Sequence, residues 1–293
     1  MAGRVTLVTL NYKELTNVLH VINTARAIKC IEHIVVIDNH SCDGSIEQLK
    51  ELNELPYCTV LESKENGGYT KGFNQAIKYA LNEFESDYVL VVNADVLFDA
   101  STIEKCIIAM DNNSDYGLIS PRMLNFYKRE ECAAWHYPTF DRLLKYCFLS
   151  WRKKNELNIG YTLSEHEKND VLEVDVVRSS FNFFKRDAIE KCGGYDENIF
   201  LFNCENLISK KLNEFGYKVG LLLNSYYVHN HKPGNVNVLF RMRCCLKENL
   251  YYAKKCLAIN RLQDMLYRIC AVIGFCEMKV VLMLSKWKHI LCK

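Results

Sequence analysis

The sequence predicts an α/β protein: a mostly parallel central sheet with helices on both faces, followed by a helical C-terminal extension. Three observations predict it. Within the first 92 residues, short runs of β-branched and aliphatic residues alternate with stretches of helical spacing in the order β-α-β-α-β-α-β. Those runs are apolar at nearly every position, as expected of strands buried on both faces rather than of a half-exposed meander. From Leu262 to Leu291 the apolar positions recur at helical spacing without a turn signal between them.

Taken in order, VTLVTL (5–10) is a buried strand ending at polar Asn11, and residues 13–29 carry helical spacing. HIVVID (33–38) is a second strand, followed by the turn-forming cluster NHSCDGS. SIEQLKEL is helical, TVLES (59–63) is a third strand, and after NGGYTKG a helix runs from about Phe73 to Phe84. YVLVV (88–92) is a fourth strand leading directly into Asn93-Ala94-Asp95. The stretch from about 120 to 170 is irregular, aromatic and then charged, and reads as an insertion on the acceptor side. VDVVRSSFNFFK (174–185) returns to strand character, KRDAIEKC is a helix stopped by Gly193-Gly194, and ENLISKKLNEFG is a helix ending at Gly216. YKVGLLL is the last strand, and YYVHNHKPGN follows it.

The 293 residues are 49% apolar and 25% charged, a folded-protein composition, and 4 Pro with 13 Gly leave no linker-like stretch. One catalytic domain over 1–240 with an extension over 241–293 is therefore expected. The net charge of +2 is unevenly spread: residues 241–293 hold 11 Lys and Arg against 3 Asp and Glu, +8, which leaves −6 for residues 1–240. That balance argues against a nucleic-acid partner and suits either a solvated basic helix or contact with an anionic membrane surface. The amphipathic tail fits interfacial attachment or packing on the catalytic body or a second copy in a homo-oligomer. None of the 14 cysteines forms Cys-x-x-Cys, so they read as reduced residues, and without a signal peptide or long apolar span the expected location is cytoplasmic.

In parallel α/β sheets ligands bind beyond the carboxyl ends of the strands, which directs attention to the polar residues there. Asp38 and Asn39 follow the second strand, where a carboxylate can hold a base or ribose hydroxyls or cap an Asx turn. Asp95 ends the fourth strand and can bind a divalent cation or cap a helix. Glu205 precedes a helix as a lone carboxylate at the mouth of the site, a candidate general base. His229 and His231 form either a surface pair or a source of a second metal ligand. The absence of Gly-x-Gly-x-x-Gly and of a Walker sequence removes support from dinucleotide dehydrogenases and P-loop enzymes.

In this order, LVTLNY, VVIDNHSCDGS, NGGYTKGFNQAIKYA, YVLVVNADVLF and GGYDENIFLFNCENLISKKLNEFGYKV resemble the family-two, inverting glycosyltransferases of the GT-A fold. RMRCCLKENLYYAKK is similar to the basic-aromatic segment that follows their catalytic domain. The similarity is strongest to the rhamnosyltransferase-like branch, which builds bacterial surface polysaccharide, and it covers roughly residues 4–255. The resemblance implies transfer of a sugar from a nucleoside-diphosphate donor to a hydroxyl of a glycan or lipid-linked acceptor. By the same resemblance Thr9, Asn11 and Tyr12 border the nucleobase, and Asp38, with neighbouring Asn39, holds base or ribose. Lys71 and Asn74 lie near the ribose and diphosphate, and Asn93 stands in the donor site. Asp95, with His229 as a further candidate ligand, binds Mg2+ or Mn2+, and Glu205 deprotonates the acceptor.

The chain departs from the family pattern at four positions. Asn93 and Cys204 replace acids, Leu207 stands where another acid is usual, and Ser179 stands where Gly is usual. Those losses also suit a catalytically weak, sugar-nucleotide-binding scaffold in a polysaccharide assembly complex.

Overall fold

The computed structural model describes residues 3–149, 160–161, 170–231 and 237–291, with side chains to 284. Most of the charged insertion expected at 153–170, and the side chains of Lys286, Trp287 and Leu291, lie outside the described residues. The chain divides into two compact units. The first comprises 1–135, 161–200 and 204–233; the second comprises 136–160, 201–203 and 234–293. The second unit thus joins the C-terminal segment from 234 to two earlier segments of the chain.

The first unit is built on one large mixed sheet. Its strands are β1 (Val5–Asn11), β2 (Ile31–Asp38), β3 (Cys58–Glu62), β4 (Tyr88–Asn93), β5 (Val96–Leu97), β6 (Tyr116–Asn125) and β7 (Glu130–Glu131). After the short β8 (Ala134–Trp135) come β9 (Val171–Val174), β10 (Val176–Val177), β11 (Phe181–Lys185) and β12 (Lys218–His229). The order across the sheet is β3-β2-β1-β4-β11-β6-β12-β5, with β7 added to β6 and β9 to β12, while β8 and β10 pair separately. β3, β2, β1 and β4 are mutually parallel, as is the β6–β12 pair, and β11 runs antiparallel between β4 and β6. The parallel strands expected from the sequence are present, with β11 reversed at the centre of the sheet and β5, β7 and β9 also antiparallel to their neighbours.

Burial on both faces explains the apolar runs: Val5, Leu7 and Val8 of β1 and Val89 to Val92 of β4 are all inaccessible to solvent. Three helices join the parallel strands: α1 (Leu15–Ala25), α2 (Ser45–Lys50) and α3 (Gly68–Glu83). Each turns an apolar stripe inward, with Val18, Val21, Ile22 and Ala25 lining the buried face of α1.

Several elements differ from the sequence reading. α3 starts five residues earlier than expected, because Gly67-Gly68 opens the helix instead of preceding it. α4 (Ala100–Asn112), capped by the Asp99 carboxylate on the Thr102 N–H, and strand β6 occupy a region without an expected element. Pro121 disguises β6. It stands opposite Leu222, where the β12 register slips before resuming at Tyr226, a break that tolerates the missing N–H. The single strand expected at 174–185 is three strands, each with a different partner.

The second unit contains α5 (Phe140–Tyr146). The first unit's remaining helices are α6 (Arg186–Cys192) and α7 (Cys204–Glu214), and the second unit ends with α8 (Val238–Cys256) and α9 (Arg261–Leu291). Tyr267 of α9 is buried and donates to the Leu246 carbonyl of α8 at 3.0 Å. Glu248 of α8, also buried, accepts the N–H groups of Leu201 and Phe202 at 3.2 and 2.6 Å, and Asn203 donates to Asn249 at 2.6 Å. Among the described residues no two cysteines are bonded to each other, and no helix is long and apolar enough to cross a membrane.

Candidate active site

The carboxyl ends of β1, β2 and β4 lie side by side, with Asn11 paired to Asp38 and Leu10 to Asn93. Asn11 is completely buried; its amide donates to Asp38 Oδ2 at 2.6 Å and Ser45 Oγ at 2.8 Å, and its oxygen accepts the Glu14 N–H at 3.1 Å. Asp38 also accepts from the Ser41 N–H at 3.0 Å and hydroxyl at 2.6 Å. Both side chains therefore tie the strand-end loops together, and the Asx turn is the local form Asp38 adopts. Tyr12, 41% exposed, is the side chain of this group that faces solvent. Thr9 Oγ1 is buried and has no hydrogen-bond partner among the described residues.

Asn39 carries the connection onward, donating to Asn66 Oδ1 at 3.1 Å and to the Gly68 carbonyl at 3.0 Å. Gly68 has a φ of 77°, and a Cβ there would fall 2.3 Å from the Phe200 carbonyl oxygen, so only glycine fits. That close approach lets the Tyr69 N–H donate to the same carbonyl at 2.6 Å, while Thr70 Oγ1 donates to the Ile199 carbonyl. Burial pushes the Tyr69 phenol well above its usual range, with the nearby Tyr195 adding to the effect, so the hydroxyl stays protonated and donates to the Ser179 carbonyl at 2.6 Å.

Farther along α3, half-exposed Lys71 lies 3.9 Å from Glu65. Both ends of the Asn74 amide are taken by the following glycine loop: it accepts the Tyr195 N–H at 2.8 Å and donates to the Tyr195 carbonyl at 2.9 Å.

The reversed strand β11 assembles the acidic centre. Because it runs antiparallel to β4, its first residues lie at the carboxyl end of β4, where the Asn93 N–H donates to the Ser180 carbonyl at 3.0 Å. Neighbouring Ser179 donates from its hydroxyl to Glu205 Oε1 at 2.9 Å, and the Cys204 thiol lies 3.3 Å from Oε2. Glu205 occupies the first turn of α7. The sequence marked Ser179 only as a serine where Gly is usual and did not show its bond to Glu205; the signal was the hydroxyl standing in place of a glycine.

Two residues beyond Asn93, Asp95 meets the end of β12. His229 Nε2 lies 3.2 Å from Oδ1 and His231 Nδ1 lies 3.1 Å from Oδ2. Burial works to raise the Asp95 carboxyl, but hydrogen bonds and charge from His229 and then His231 outweigh it and hold the pKa below the usual aspartate range. Among the described residues no three His, Cys, Asp or Glu side chains form a ready metal cluster. Asp95 and the two imidazoles are nonetheless oxygen and nitrogen donors of the kinds that bind divalent ions. One carboxylate and imidazole nitrogen share a partly exposed edge, and the Asn93 side-chain oxygen nearby is buried without a hydrogen-bond partner among the described residues. A mixed oxygen and nitrogen set suits Mn2+ better than Mg2+, which prefers oxygen alone.

Residues 6–192 match Glycosyl transferase family 2. The chain belongs to that family. Glu205, His229 and His231 lie beyond the matched family 2 segment. A hexosyltransferase of low-salt glycan biosynthesis, Agl10 from Haloferax volcanii, is 28% identical over 202 residues, 69% of this chain and 59% of the relative. The chain thus spans about three-fifths of that relative's length. Among solved structures, the mannosyltransferase PcManGT from Pyrobaculum calidifontis, in complex with GDP-Man and Mn2+, is 13% identical with a TM-score of 0.57. That likeness covers 100% of this chain and 81% of PcManGT. TarS 1–349 from S. aureus, in complex with UDP, is 14% identical with a TM-score of 0.55, covering 89% of this chain and 68% of TarS. These structural likenesses support the GT-A fold of this family 2 chain.

Proposed function

We propose that this family 2 protein is an inverting hexosyltransferase: it moves a sugar from a nucleoside diphosphate to a hydroxyl of a glycan or lipid-linked acceptor, with the first unit as its catalytic domain. The observation that carries the proposal is the Ser179–Glu205 hydrogen bond at the end of β4, beside the strand end that bears Asp95. A lone carboxylate for a proton and a cation-binding carboxylate for a diphosphate are the two groups this reaction needs. The nucleotide-bound structural neighbours and the hexosyltransferase relative favour the same donor class.

In the proposed mechanism Tyr12 borders the base, and Thr9 Oγ1 and Asn93 Oδ1 offer polar atoms to the donor. Asn11, Asp38 and Asn39 hold the loops that frame it, and Lys71 serves the diphosphate. Asp95, His229 and His231 would hold a divalent ion, Mn2+ by the chemistry of the set, which when bound offsets the charge on the departing diphosphate. Ser179 holds one oxygen of Glu205. The other, which the weakly donating Cys204 thiol approaches, takes the acceptor proton as the acceptor oxygen attacks the anomeric carbon from the face opposite the diphosphate, so the configuration inverts. Rhamnose and a bacterial surface polysaccharide remain branch-level expectations, and deoxyhexose donors belong in any substrate panel.

The test is the anomeric configuration of the product by NMR together with the Glu205→Gln variant. Inversion, and about 10³-fold slower transfer with donor affinity kept, are expected. Retention of configuration, or full activity in the variant, contradicts the assignment.

A further inference from the structure

α9 leaves a long apolar stripe facing solvent. Leu262, Met265, Ile269, Val272, Val280 and Met283 are each 49–67% exposed and follow helical spacing over about 32 Å of helix. They are not the face that holds the helix in place. Tyr267 and Met278, on the opposite side, are the buried residues, and Glu277 accepts the Leu149 N–H at 3.0 Å. A stripe of this length is unusual on the surface of a water-soluble unit and marks a contact surface.

Charge identifies the partner. Arg261, Arg268 and Lys279 are spaced seven and eleven residues apart, so at 100° per residue they fall within about 20° of one another along one edge of the stripe. All three are exposed. The acids nearby are engaged: Asp264 is 3.1 Å from Lys254 and 3.0 Å from Arg268, and Glu277 holds the Leu149 N–H. A layer of anionic head groups supplies an acidic complement to this edge along its whole length.

We infer that α9 lies in the plane of an anionic bilayer surface, with its apolar stripe at the acyl boundary and the Arg261–Arg268–Lys279 edge among the phosphates. This inference stands independently of the transferase reading.

Flotation of the full-length chain with vesicles of phosphatidylcholine containing 30% phosphatidylglycerol, against phosphatidylcholine alone, tests it. Flotation with the anionic vesicles, at least about tenfold weaker with neutral vesicles, is expected. Ile269→Glu combined with Ile273→Glu is expected to reduce flotation about tenfold, and so is Arg261→Gln combined with Lys279→Gln. The charge variant keeps every apolar side chain, so it carries the test if the glutamates lower the melting temperature. Absence of flotation, or equal flotation of the charge variant, overturns the inference. So does a wild-type chain that stays unbound and sediments as a dimer that the glutamates convert to monomer, since that result assigns the stripe to a second copy.

Discussion

At the scale of single residues, Glu205 depends on Ser179. The Ser179 hydroxyl fixes one carboxylate oxygen at 2.9 Å and leaves the approach to the other set by geometry rather than by chance rotation. Ser179→Ala is expected to lower kcat about tenfold, roughly 1.4 kcal/mol in the barrier, while the KM for donor stays within about twofold. Steady-state kinetics check this; an equal fall in kcat and rise in KM would instead mark a change in donor binding. Asp95→Asn removes a charge that both His229 and His231 meet. The variant is expected to lose Mn2+-dependent thermal stabilisation while keeping its fold by circular dichroism. Glu205 and Asp95 stand out in the sequence as candidates because each lies at a recognisable element boundary. The roles of Asn11 and Asp38 in bracing one another were not, since a carboxylate after a strand looks the same whether it faces a ligand or a neighbouring amide.

At the scale of elements, the start of α3 and the loop after α6 are locked by close contacts with no slack. Gly194 has a φ of 72°, and a Cβ there would fall 2.5 Å from Asn74 Oδ1. Gly194→Ala is therefore expected to destabilise the protein by more than about 1 kcal/mol, and Asn74→Ala, which strips partners from the Tyr195 N–H and carbonyl, by about 2–3 kcal/mol in urea unfolding. An Asn74→Ala chain as stable as wild type would show that the clamp contributes nothing. Glycine pairs and apolar runs made these boundaries visible to within a few residues. Strand β6 was hidden because Pro121 argues against a strand, and the slip in the β12 register that tolerates it belongs to another part of the chain. The reversal of β11 was equally hidden: direction within a sheet depends on where the chain re-enters, which no local pattern carries.

At the scale of the whole molecule, the division into an α/β unit and a helical unit follows the shift from alternating strands to a long amphipathic tail. The assignment of 136–160 and 201–203 to the helical unit follows from contacts between distant residues and was not legible. The cysteines test the packing as a whole. Burial pushes the Cys58 thiol up to about 11 and raises buried Cys106 further, whereas Cys42 and Cys276 are exposed. Maleimide at pH 8 should label Cys42 and Cys276 first, with Cys58 and Cys106 protected until unfolding, as peptide mass spectrometry would read. The central claim is that Asp95 and Glu205 serve two halves of one sugar transfer. Its most direct measurement is nucleotide release and thermal shift across UDP-, dTDP- and GDP-sugars with Mn2+ or EDTA, with lipid-linked acceptors supplied, on wild type and Glu205→Gln. Turnover of one donor that requires Mn2+, with Glu205→Gln still stabilised by that donor yet inactive, is the expected result. Donor binding without turnover by the wild type under every condition would contradict the claim and leave a sugar-nucleotide-binding scaffold in its place.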